Sequence, residues 1–173
     1  MNTIGEIAVM LAYYRKFLLR PIESLKRLPV VNWSHSVATQ GVSAILTAII
    51  VVFIKRDLES LFFVFALPLI LIFTTALLTL TIYGYFRLIE RRDLPVQQLH
   101  TLTSVATLPY LLGFPFYHLL PPLMLATGLA CGAALVTGLV ENFSVSKQKA
   151  LHIVGAIVGL FILIWVVNRI AMG

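Results

Sequence analysis

The side chains best suited to chemistry form two polar rows, each on one predicted helix. The first row has spacings of four, three and four residues, so its members share one helical face; they are Ser36, Gln40, Ser43 and Thr47. The second row opens a later apolar stretch and comprises Gln97, His100, Thr103, Ser104 and Thr107. If the rows meet, they either join two helices by hydrogen bonds or line a solvated groove that binds a lipid headgroup or a small solute.

Other reactive groups do not converge along the sequence. The four histidines and the single Cys131 are scattered, whereas a zinc site needs three or four ligands in one place. Phosphate-binding loops, metalloprotease helices, paired cysteines and nucleophile elbows are not present as motifs. We therefore expect no catalytic residue, no metal site and no cofactor, and we predict that the protein is not an enzyme.

Composition sets the class of protein. Of the 173 residues, 60% are apolar, and the mean hydropathy is +0.97. Charged residues make up 12%, about half of the usual quarter. Disorder, collagen, a disulfide-stapled secreted domain and a nucleic-acid partner are all disfavoured. The net charge of +6 is better explained by membrane topology, because Lys and Arg mark the cytoplasmic side.

Charged residues divide the chain into apolar lengths that suit spanning helices of roughly 20 residues. Residues 94–140 carry no formal charge and are too long for one span, so we divide them at the proline-rich segment 114–122, which includes His118. Uninterrupted rather than alternating apolar runs favour helices over a barrel, and Pro68 and Pro109 should kink theirs. The fold class is therefore all-α, a polytopic integral membrane protein with five transmembrane helices at residues 36–54, 61–86, 97–117, 121–140 and 150–168.

The basic residues predict the orientation. Ten of the thirteen Lys and Arg residues fall in segments 1–35, 87–98 and 141–149, while Lys55, Arg56 and Arg169 fall on the other side. This bias predicts a cytoplasmic N-terminus and a C-terminus outside.

Residues 1–35 form a separate cytoplasmic segment ahead of the transmembrane domain, residues 36–173. One apolar stripe is predicted from Ile4, Ile7, Leu11, Tyr14, Leu18, Ile22 and Leu25. Pro21 should end one helix and begin a second. We predict an amphipathic interfacial helix on the inner leaflet that contacts the lipid bilayer, anionic lipids above all; the alternative is a helix packed on cytoplasmic loops. The residues expected to touch the membrane surface are Arg15, Lys16, Arg20, Lys26 and Arg27.

Two pairs of glycines are spaced four apart in the last two spans. Gly128 and Gly132 lie in the fourth span, and Gly155 and Gly159 lie in the fifth. Such pairs let helices approach closely. We expect the fourth span to pack on the fifth within one chain; the alternative is a homo-oligomer formed through either face.

Several segments together resemble a known family. They are "FLLRPIESLKRL" before the first span, "TSVATLPYLLGFPFYHLLPP" in the third and "SVSKQKALHIVG" before the fifth. The chain from about Phe17 onward is similar to the Yip-domain family of Ypt/Rab-interacting membrane proteins. The resemblance implies five spans with the N-terminus inside and, in eukaryotes, association with Golgi and endoplasmic-reticulum trafficking and Rab-type GTPases.

Two departures from the family pattern make this chain resemble a short, bacterial-type member of the family. Only 35 residues precede the first predicted span, and residues 29–35 read "PVVNWSH" in place of an acidic Asp-Leu-Tyr-Gly-Pro-type motif. A Rab-type GTPase partner is therefore not carried over, and the expected location is the bacterial inner membrane. We predict a non-enzymatic membrane protein that organises the bilayer or other membrane proteins. The alternative is a channel or transporter for a small solute or ion, with a groove between the first and third spans.

Overall fold

The computed structural model describes residues 3–117 and 119–172, and every regular element in those ranges is helical. His118 lies outside the described residues, as do the side chains of Ile4, Ile7 and Arg169. Short 3-10 turns occupy Glu59–Leu61 and Phe114–Phe116. Within the described residues the eight α-helices are α1 Thr3–Leu19, α2 Pro21–Leu25, α3 Trp33–Lys55, α4 Phe62–Leu88, α5 Val96–Ala106, α6 Leu108–Gly113, α7 Leu123–Phe143 and α8 Lys147–Met172.

Four of these helices are long and apolar enough to cross a membrane, namely α3, α4, α7 and, over Lys147–Asn168, α8. They coincide with the first, second, fourth and fifth predicted spans, with ends that differ by a few residues. The all-α class and a chain compatible with an integral membrane protein are thereby confirmed.

The predicted third span is divided between two short helices. α5 has 11 residues and α6 has 6, so neither could cross a membrane alone. The division falls at Thr107, beside Pro109, whose ring nitrogen has no hydrogen to donate to the preceding turn. The next turn is closed by the Leu111 N–H, which donates to the Thr107 carbonyl at 3.2 Å. In contrast, α4 continues as one helix through Pro68.

The short helix α5 lies at the centre of the fold. Its residues from Leu99 to Ala106 are all buried, and it packs against α3, α4 and α7. Close approach to α7 depends on Gly138, where a Cβ atom would overlap the side chain of Leu102. A central helix buried on all sides must find partners inside the protein for each of its polar side chains.

The N-terminal segment folds as two helices that meet at Pro21, as the sequence predicts. The described members of the predicted apolar stripe are divided between two environments, because Tyr14 and Leu25 are buried. Leu11, Leu18 and Ile22 are exposed. The buried face lies alongside, spaced at three or four residues, and consists of Met10, Tyr13, Tyr14 and Phe17.

This segment is attached to the rest of the fold by specific bonds. α1 packs on α3, and α2 packs on α7. Asn142, at the end of α7, accepts from the Leu28 N–H at 3.1 Å and donates to the Leu25 carbonyl at 2.6 Å. Gln97 donates to the Val31 carbonyl at 2.6 Å. Residues 25–31 therefore run across the ends of α7 and α5.

Candidate functional site

A buried polar cluster joins α3, α4 and α5. Its members are hydroxyl and amide side chains on the inward faces of the three helices. The Ser36 hydroxyl donates to Ser104 Oγ at 3.3 Å, and Thr79 Oγ1 lies 2.7 Å from Thr103 Oγ1. Gln40 Nε2 donates to Thr75 Oγ1 at 2.5 Å. Each pair crosses from one helix to another, so the cluster stabilises the three-helix contact.

His100 lies at one end of the cluster, inside the protein. Its ring stacks on Trp33 with centroids 4.1 Å apart, and its Nδ1 lies 3.4 Å from Ser104 Oγ. The residue has no exposed surface. Two polar atoms, His100 Nε2 and Gln40 Oε1, are buried with no hydrogen-bond partner among the described residues. Buried atoms of this kind are uncommon and call for an explanation.

The two predicted polar rows meet at the Ser36–Ser104 hydrogen bond. Beyond it, the Ser43 and Thr47 hydroxyls donate to carbonyls of their own helix, those of Thr39 and Ser43. Thr107 likewise donates to the Ser104 carbonyl. The hydrogens of these three hydroxyls are therefore used within their own helices.

Sequence reasoning missed the contribution of α4. Thr75 and Thr79 supply the partners of Gln40 and Thr103, and neither residue is exposed. A signal was present, because two threonines spaced four apart lie on one face of the second span.

The cluster contains a single side chain of the kinds that bind metal ions, the imidazole of His100. Within residues 3–117 and 119–172, no group of three His, Cys, Asp or Glu side chains could hold a metal ion. The cluster consists of hydroxyls, one amide and one imidazole. Its chemistry is therefore hydrogen bonding between helices, supplemented by the two unpartnered atoms described above.

The two glycine pairs have different surroundings. A Cβ atom on Gly128 would lie 2.9 Å from Phe161, and one on Gly132 would lie 2.8 Å from Val158, so this pair packs against α8. Gly155 and Gly159 are exposed, and a Cβ atom there would meet nothing within 4 Å in the described part of the chain. The α7 pair therefore packs against α8 within the chain, whereas the α8 pair contacts no other described helix, so a homo-oligomer through that face stays a prediction.

Basic and apolar side chains share the exposed surface of residues 11–30. The five basic residues proposed to touch the membrane are all exposed; they are Arg15, Lys16, Arg20, Lys26 and Arg27. Arg20 forms a solvent-exposed ion pair with Glu23 at 3.3 Å. Large apolar side chains stand beside them, with Leu19, Ile22 and Val30 at 71%, 70% and 88% exposure. We call this surface the basic–apolar face.

Comparisons with protein-family models, with curated proteins and with solved structures gave no match. The similarity to the Yip-domain family therefore stays a prediction that depends on the segments quoted above.

Proposed function

We propose that the protein is a non-catalytic integral membrane protein that organises the inner leaflet, or proteins within it, through its N-terminal segment. The basic–apolar face carries this proposal. Exposed cations interleaved with exposed large apolar side chains suit a boundary between anionic headgroups and acyl chains. In water the same face would be an unfavourable apolar patch.

The attachment of this face to the transmembrane helices supports an organising role. Residues 25–31 are hydrogen-bonded to Asn142 and Gln97, and the buried side of α1 packs on α3. Lipid bound at the face would therefore be held at a fixed position beside the spans. The Yip-domain resemblance of the sequence is the basis on which we propose a place in the bacterial inner membrane.

We further propose that α5 and α6 together act as a third span, which makes five. Residues 96–116 cover about 30 Å at the helical rise of 1.5 Å per residue, close to the thickness of the hydrocarbon core. The backbone break at Thr107 is tolerable there because α3, α4 and α7 surround α5. With five spans, the bias of basic residues places the N-terminus in the cytoplasm.

Fluorescence from the N-terminal segment tests the proposal in the full-length protein. Cys131→Ala removes the native thiol, and Ile22→Cys provides one exposed site for a solvent-sensitive dye. The protein is reconstituted in neutral vesicles and in vesicles that contain phosphatidylglycerol. We expect blue-shifted emission in the anionic vesicles, and a smaller shift at high salt because the Debye length falls from about 8 Å to about 3 Å.

The charge requirement is tested by Lys16→Gln, Lys26→Gln and Arg27→Gln together. At about 1 kcal/mol for each basic residue near an anionic surface, the triple change weakens attachment by roughly a hundredfold. The matched control is Lys55→Gln with Arg56→Gln, on the side predicted to lie outside. Identical emission in neutral and anionic vesicles would contradict the proposal.

A second function, passage of a small solute or ion, is favoured by one observation. Gln40 Oε1 and His100 Nε2 are buried without partners in the described part of the chain, as expected for groups that bind a passing solute. Liposomes with the purified protein should then show solute or ion flux that Gln40→Leu or His100→Leu reduces. Folded protein without flux would dismiss this function and leave the first.

A further inference from the structure

A cleft lies beside the N-terminal helix α1, next to the contact that this helix makes with α3. It lies between α1 on one side and α3 and α6 on the other, and its volume is about 500 Å³. Its walls are mostly leucine, with Leu11 and Leu18 from α1 facing Leu46 and Leu111. A cleft of this composition accepts a flexible apolar chain.

One side of the cleft carries a cation and a buried phenol. Arg15 lines the cleft and is exposed, and no carboxylate is among the described residues that line it. Tyr14 also lines the cleft; the residue is 6% exposed, and its hydroxyl has no hydrogen-bond partner among the described residues. Burial raises the pKa of Tyr14 well above its usual value, so the hydroxyl stays protonated and keeps a hydrogen to donate.

The position of the cleft along α3 suits a lipid of the inner leaflet. Ser43 and Thr47 line the cleft, about 10 and 16 Å along the helix from the predicted start of the span at Ser36. In a hydrocarbon core about 30 Å thick, Ser43 lies in the half that faces the cytoplasm and Thr47 lies close to the midplane, so the cleft extends to the depth at which the acyl chains of that leaflet end. The donors of both side chains are already used within α3, which leaves Arg15 and Tyr14 to recognise a polar group.

We propose that this cleft binds one anionic phospholipid, with an acyl chain between the leucines, its phosphate on Arg15 and an ester oxygen accepting from Tyr14. The inference rests on the proposed function to the extent that α1 must lie at the inner leaflet. A peptide segment fits less well, because its backbone groups would need partners that leucine walls lack. Charge complementarity favours an anionic headgroup over a neutral one.

Native mass spectrometry of the full-length protein in mild detergent tests the proposal. The probes are phosphatidylglycerol and phosphatidylcholine with the same acyl chains. We expect one phosphatidylglycerol to be retained in preference to phosphatidylcholine. Arg15→Gln should weaken its retention about tenfold, and Tyr14→Phe roughly fivefold, from the loss of one charged and one neutral hydrogen bond.

Leu46→Trp fills the cleft and should abolish retention. Its matched control is Leu80→Trp, because Leu46 and Leu80 are similarly exposed, at 56% and 57%, on neighbouring helices, and Leu80 is not part of the cleft. Arg27→Gln is the charge control on the same face, outside the cleft. Retention by Leu46→Trp equal to the wild type would overturn the proposal, as would an equal loss from Arg15→Gln and Arg27→Gln.

The two proposals fail in different ways. Equal losses from Arg15→Gln and Arg27→Gln would leave a lipid-binding face without a specific cleft, which overturns this inference and not the proposed function. Conversely, if the dye attached through Ile22→Cys reports no difference between neutral and anionic vesicles, that result counts against the basic–apolar face and the proposed function. Lipid retention that depends on the cleft residues would still support this inference. Retention of phosphatidylcholine as strong as that of phosphatidylglycerol overturns the assignment of an anionic lipid.

Discussion

Asn142 connects the N-terminal segment to α7, so replacing it should loosen that segment. Its side chain accepts from the Leu28 N–H and donates to the Leu25 carbonyl, at 3.1 and 2.6 Å. Asn142→Ala removes both of these bonds, together with a third one to the Gly138 carbonyl of its own helix at 3.1 Å. It leaves the Leu28 N–H and the Leu25 carbonyl in a part-buried place. The apolar contacts of Leu25 and Leu28, which are both buried, stay in place.

The expected effect follows from the number of bonds lost. A net contribution of about 1 kcal/mol for each neutral hydrogen bond gives about 2 kcal/mol for the pair. Since 1.4 kcal/mol corresponds to a factor of ten, the population in which the segment is undocked should rise roughly 30-fold. The spans themselves should be unaffected, because their mutual contacts do not involve these bonds.

Thiol labelling at Met10 measures that population. Met10 has no exposed surface, so in the Cys131→Ala background a Met10→Cys thiol reacts with a water-soluble maleimide only when α1 leaves its site. When reclosing is fast, the labelling rate follows the open population, and we expect Asn142→Ala to raise it roughly 30-fold. Thr137→Ala is the matched control, since its hydroxyl donates within α7 to the Ala133 carbonyl. Equal labelling rates in the two variants would refute the reasoning.

Three further outcomes follow from the packing and the topology. Gly138→Ala places a Cβ atom against the fully buried Leu102 and should lower the free energy of unfolding in detergent by about 1–3 kcal/mol. Gly155→Ala, with open space around it, should leave the free energy of unfolding unchanged or higher. A loss of the same size in both variants would contradict the close packing of α5 on α7. Thr103→Val removes the contact with Thr79 and should cost about 1 kcal/mol in the same assay, and no change would mean that the bond does not stabilise the helix contact. Accessibility tags at the two chain ends should report opposite compartments, with the N-terminus cytoplasmic; both ends on one side would contradict five spans.

The positions of the long helices could be predicted from charge spacing, because lipid excludes formal charges and makes the ends of spans abrupt. The division at Pro21 and the discontinuity beside Pro109 were also predictable, since proline lacks the donor that an α-helix needs. The division of the third predicted span into the two short helices α5 and α6 was not predictable, because a proline can also lie inside an unbroken helix, as Pro68 does in α4.

The pairing of polar side chains was beyond the reach of the sequence. Spacing shows which residues share a helical face, but it does not say which helix that face meets. Gln40 thus turns to Thr75 on α4, whereas the sequence suggested a partner on the third span. Threonines in a span also satisfy themselves against their own helix, as Thr74 and Thr81 do, so their number gives no measure of contacts between helices.

Hydropathy does not distinguish the buried face of α1 from its exposed face. Met10 and Leu11 are adjacent and both apolar, yet the first is buried and the second is 45% exposed. Contact with protein and contact with lipid favour the same side chains, so periodicity alone cannot separate the two faces.

The central place of α5 has a consequence for biosynthesis. In the proposed five-span arrangement, Ser36 and Thr79 are made before the residues that they contact, Ser104 and Thr103, so both partners would have left the ribosome when α5 reaches the bilayer. The polar side chains of α5 would be costly to insert into lipid alone, but hydrogen-bond partners on α3 and α4 would already be in place. α7 would then pack against the remaining side of α5.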